Sequence, residues 1–221
     1  MEKQIISKRI SSILDDISRL SSALHAMNTT DIQRYPDNYE ILSLDAALRS
    51  EYIACRMRHL IYASTGVKKA TYLHSSAAVL DINIRENDGI LEITIPCLLP
   101  KRRQRKSTEF LLDPLYFALD QYTENIAITR HRHCVVCFSH IYDQNLPIRR
   151  IRDYDNIELK EILDVISTFI MVDDTGLLCD AYNTTELGDT DCTCISVMSK
   201  DRFPEWLDNK KNQLESIKDF E

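Results

Sequence analysis

The chain is poor in the residues that make linkers, with 4 glycines and 6 prolines among 221 positions. That leaves little room for a flexible tether or a low-complexity segment, and no internal repeat stands out. No apolar run approaches the roughly 18–20 residues of a membrane span, and the N-terminus has no signal-peptide core. A cytoplasmic protein with no membrane attachment is therefore expected. Excess positive charge is also missing: the formal charge is −7, which excludes a generally basic nucleic-acid binder unless the basic residues are concentrated locally. The seven cysteines are odd in number, and without an export signal they read as reduced thiols, not as a disulfide framework.

What is present is ordinary for a globular chain, 44% apolar and 28% charged. The length suits one large domain, or one domain with a helical appendage. Apolar residues at Ile6, Ile10, Ile13, Ile17, Leu20, Leu24 and Met27 alternate by four and three, the seam of a short coiled coil or a helical hairpin. That seam either closes internally or pairs two subunits. A turn over 35–38 leads to a second helix over about 39–63, and a third covers 68–79. Arg49, Arg56, Arg58 and His59 crowd the second helix; a solvated face with i,i+4 ion pairs accounts for them better than a nucleic-acid surface. His25, His59 and His74 are scattered and read as structural.

The helical module is expected over residues 1–84 and an α/β domain, with α+β as the variant, over 85–221. Within the latter, 90–96, 134–142 and 192–199 read as strands and 177–183 as a further one. Residues 109–121 and 157–170 read as helices, and a helical tail follows from 204. Such an order gives a mixed sheet with packed helices. Two basic clusters break the acidic background: Lys101, Arg102, Arg103, Arg105 and Lys106 in one loop, and Arg149, Arg150 and Arg152 ahead of an acidic stretch.

That stretch, RRIRDYDNIELKEILDVISTFIMVDD over 149–174, carries the chemistry. On an extended backbone Asp153 and Asp155 point to one face, and the following helix would return Asp173 or Asp174 to their side. Carboxylates so close repel unless a cation intervenes, and a hard ion with oxygen ligands, Mg²⁺ or Mn²⁺, fits the set. Such an ion would polarise a phosphodiester and activate water. Lys160 would neutralise charge developing on the phosphate, while the arginines and the 101–106 loop would hold the nucleic-acid backbone. The competing description is an exposed turn in which Asp155 or Asn156 caps the next helix.

The string RRIRDYDNIELKEILD…VDD resembles the core motif of the RusA family of Holliday-junction resolvases. ITIPCLLPKRRQR resembles that family's first strand and basic loop, CVVCFSHIY the strand leading into the motif, and CTCISVMSK the closing strand. The similarity covers about residues 90–200. It implies a RusA-like fold and a Mg²⁺-dependent homodimeric endonuclease that cuts branched DNA at four-way junctions. In that family's pattern Asp153, Asp155 and Asp174 match the metal-binding acids, and Lys160 the catalytic lysine, standing one residue further along than usual. The acidic balance of the domain supports an alternative: a catalytically inactive RusA-fold DNA-binding or assembly protein of a bacterial mobile element.

A second constellation, His131, His133, Cys134, Cys137 and His140 with Cys192 and Cys194, has zinc-ligand chemistry. Strand alternation sends Cys134 and Cys137 to opposite faces, so zinc is set aside in favour of magnesium or manganese.

Overall fold

A computed structural model describes residues 2–102, 109–126 and 128–218. Two compact units divide the chain, residues 1–72 and 73–221, whereas the sequence expectation draws the line at 84.

In the first unit, α1 (Glu2–Thr29) packs along α2 (Pro36–Ser64). The apolar seam of α1 is shared between two sides. Ile13 and Ala23 are buried, while Ile10, Ile17 and Leu24 stay 43%, 44% and 51% exposed. One heptad position closes the unit and its neighbour faces outward. Arg56 crosses from α2 to pair with the Asp16 carboxylate and to donate to the Ser12 carbonyl at 3.4 Å. Arg49 pairs with Asp45 one turn away at 2.7 Å. These two arginines of the second helix thus work as structural ion pairs.

The second unit takes in the end of α3 (Lys69–Val79) and a five-stranded mixed sheet in the order β1-β2-β5-β3-β4. The strands are β1 (Asn83–Asn87), β2 (Ile90–Ile95), β3 (Cys134–Asp143), β4 (Cys179–Gly188) and β5 (Cys192–Ser199). Only β3 and β4 pair in parallel. The stretch before Ile90 holds a further strand, β1, beyond those expected. Asp88 and Gly89, at φ 50° and 73°, supply the left-handed pair that a tight hairpin with the twist of its strands requires.

Helices α4 (Glu109–Asn125) and α5 (Lys160–Ile170) pack on one face. Ile162, Ile166 and Ile170, spaced one turn apart, are fully buried with Leu115, Leu119, Ile93, Val136, Phe138 and Ile195. Each such side chain contributes about 1.5–3 kcal/mol by leaving water. On the opposite face, α6 (Phe203–Lys218) sets Trp206, Phe203 and Leu207 against Val135, Cys137, Met198 and Tyr182. Cys134 belongs to the first core and Cys137 to the second, as period-two alternation demands. Among the described residues no helix is long and apolar enough to cross a membrane.

Candidate functional site at the carboxyl ends of the parallel strands

Because β3 and β4 are parallel, α5 returns the chain from their carboxyl ends to their amino ends. The segment entering α5 lies across the carboxyl ends. The Arg152 backbone N–H donates to the Tyr142 hydroxyl at 3.2 Å, and its guanidinium donates to the Leu99 carbonyl at 2.7 Å. Residues 154–156 form a single 3-10 turn, not an extended run. Asp153 and Asp155 therefore leave the backbone without the strand alternation expected of them, and both are exposed. Neither Asp155 nor Asn156 caps α5. Glu158, 4% exposed, accepts the Glu161 N–H at 3.3 Å instead.

The root of the basic loop is bonded to this turn. Arg102 N–H donates to the Asn156 carbonyl at 2.9 Å, Glu158 N–H to the Pro100 carbonyl at 2.9 Å, and Lys101 forms an isolated bridge with Ile157. Lys101 and Arg102 are exposed. Arg103, Arg105 and Lys106 lie outside the described residues.

Beneath the turn is a polar group that the sequence did not single out as a set. His140, 1% exposed, places Nε2 3.3 Å from the Asn183 side-chain oxygen. Its ring lies against Tyr154 at 5.7 Å between centroids, and the Tyr154 hydroxyl meets Thr185 Oγ1 at 3.0 Å. Burial lowers the His140 pKa below the ordinary imidazole value, partly opposed by the bond to Asn183 and assisted by the nearby Arg152 charge. Burial there favours the neutral imidazole over the charged form. The signal for this set lay in strand periodicity. His140 sits two residues beyond Phe138 on the core face, and Asn183 and Thr185 share a face one strand over.

The other half of the expected metal set lies elsewhere. Asp173 and Asp174 follow the C-terminus of α5, where Val172 N–H donates to the His131 carbonyl at 2.9 Å, at the amino ends of β3 and β4. Asp173 closes its own local turn on the Thr175 N–H at 3.2 Å. The 11 residues of α5, at about 1.5 Å each, carry the chain about 16 Å between the two pairs. α5 therefore does not return 173 and 174 to the side of 153 and 155. Among the described residues no three His, Cys, Asp or Glu side chains gather in a metal-holding group. Lys160 points along α5 to Asp164, at 2.7 Å from Oδ2. The hydrogen bond and charge of Asp164, helped by Asp174, raise its pKa.

Of the second basic cluster, two members have structural partners. Arg150 pairs with Asp191 at the entrance to β5 and lies over the Tyr142 ring at 5.6 Å. Arg152 is held as described above. Arg149 is exposed.

A family model described as a family of unknown function, DUF6100, matches residues 2–221. The chain belongs to the DUF6100 family. The match runs through both compact units, so the helical unit is part of what defines the family. No curated protein matches the chain.

Proposed function

We propose that the chain is a catalytically inactive, RusA-fold protein that binds branched DNA as part of a homodimeric assembly. The observation that carries the inactive reading is the division of the acidic residues between the two ends of the β3–β4 pair, with Lys160 held by Asp164. DNA binding is supported by Lys101 and Arg102 at the root of the basic loop and by Arg149, all exposed. The outward half of the α1 seam, Ile10, Ile17 and Leu24, supports pairing of two chains through a helical hairpin or short coiled coil. Titration of a synthetic four-way junction at several salt concentrations tests the binding. Wild type is expected to bind, and Lys101→Ala, Arg102→Ala and Arg149→Ala together to lower the magnitude of the salt slope by about 2.7, at about 0.9 per phosphate contact. A junction that goes unbound at low salt, or a slope unchanged by the triple variant, overturns it.

One observation favours an active Mg²⁺- or Mn²⁺-dependent endonuclease instead. The root of the basic loop is hydrogen-bonded to the DYDN turn, so Lys101 and Arg102 lie next to the segment that carries Asp153 and Asp155.

A further inference from the structure

The amino ends of β3 and β4 hold a cluster of a different kind. Cys134 and Cys179 are direct partners in the parallel ladder and open their respective strands. As direct ladder partners they share one face of the sheet; the Cys134 thiol donates to the Met171 thioether at 3.4 Å, and the Cys179 thiol to the Asp180 carbonyl at 3.6 Å. Cys134 and Met171 are fully buried and Cys179 is 7% exposed, so solvent reaches the group through Cys179.

We propose that Cys134, Cys179 and Met171 form a three-sulfur site for a soft monovalent cation, Cu(I). Two thiolates and a thioether suit that ion, which soft sulfur ligands select. Zinc favours four tetrahedral ligands among thiolate, imidazole and carboxylate. Binding exchanges two thiol protons for one Cu(I), leaving a complex of net charge −1 and releasing two protons. No electron is transferred.

Three independent parts of the fold hold the sulfurs in place. Cys134 N–H donates to the Leu178 carbonyl and Cys179 N–H to the Thr175 carbonyl, both at 2.9 Å. Met171, the first residue past α5, is fixed by its bridge to His131.

Anaerobic competition of the reduced full chain with bathocuproine disulfonate for Cu(I) tests the site. One Cu(I) per chain is expected to leave the chelator. Cys134→Ser and Cys179→Ser should each abolish that transfer. Met171→Leu, similar in shape and so able to keep the packing, should weaken it by roughly tenfold. The double variant Cys192→Ser, Cys194→Ser should retain it, which separates this site from the two thiols on β5. Failure of wild type to withdraw copper overturns the proposal. So does wild-type affinity in both Cys179→Ser and Met171→Leu, or loss of transfer in the β5 double variant.

Discussion

Arg150 separates a structural from a DNA-contacting role for the 149–152 cluster. Replacing it with alanine removes the ion pair to Asp191 and the stacking on Tyr142. The pair is partly exposed, with 26% and 34% of the two side chains open to solvent. Solvent screening holds the coupling near about 1 kcal/mol, and the cation–π contact adds about 0.5–1 kcal/mol. Asp191 keeps one partner, since it also accepts the Asp143 N–H at 2.8 Å, so its carboxylate is not stranded. Arg150→Ala should therefore cost about 1.5–2 kcal/mol. In a unit of this size that lowers Tm by roughly 3–8 °C, at about 2–4 °C per kcal/mol. Urea titration of the wild type, both single variants and the double variant Arg150→Ala, Asp191→Ala should return an interaction energy near 1 kcal/mol. Junction affinity of Arg150→Ala should stay within about twofold of wild type under conditions where the variant is folded. Unchanged stability together with a large loss of junction affinity would refute the structural assignment.

The two sides of the α1 seam should answer differently to substitution. Ile13→Ala, at a buried position, should cost about 2–4 kcal/mol by urea titration. Ile17→Lys, at an exposed one, should leave folding within about 0.5 kcal/mol and convert a dimer to a monomer in sedimentation velocity. Gly188 ends β4 where an added Cβ would lie 2.7 Å from Ile141 Cγ2. Gly188→Ala should cost about 1–3 kcal/mol, partly restored by Ile141→Ala when both are compared by thermal unfolding. His140 is buried with its pKa lowered, so the unfolded chain binds a proton more readily. Its contribution is then fully present above the unfolded value of about 6.5 and declines as pH falls from there toward the lowered folded value. His131, lowered mainly by burial, acts in the same direction. His140→Gln should flatten, without abolishing, the loss of stability measured between about pH 6.5 and 5.

Much of the framework was legible because burial imposes a period. The alternation of Ile90 to Ile95 and the apolar content of Cys134–Asp143 mark strands, and the four-residue spacing of Ile162, Ile166 and Ile170 marks α5. Local pattern did not reveal β1, whose five residues are largely exposed and whose partner is defined only by the Asp88–Gly89 turn. The α1 seam was visible, yet its division was not, because a four–three spacing does not say how many partners share it. The candidate site suffered most from a local conformational choice. The spacing of Asp153 and Asp155 is neutral between a strand and a 3-10 turn, and the chain takes the turn. Nor does a helix of 11 residues between parallel strands bring its ends together; it carries the chain toward the amino ends of those strands. The set formed by His140, Tyr154, Asn183 and Thr185 spans 46 positions of sequence and depends on the β3–β4 register, which no single segment encodes.

The most direct measurement follows a four-way junction labelled on all four strands, with the protein in excess and either 10 mM Mg²⁺ or Mn²⁺, a concentration on the order of those that saturate loosely held divalent ions. Binding is read by gel shift and strand integrity by denaturing electrophoresis of the same samples. With the acidic residues divided between the two ends of the β3–β4 pair, a shifted but intact junction is predicted in both metals, with Asp155→Asn indistinguishable from wild type. Metal-dependent nicking that disappears in Asp155→Asn would contradict the inactive assignment and establish the endonuclease in its place.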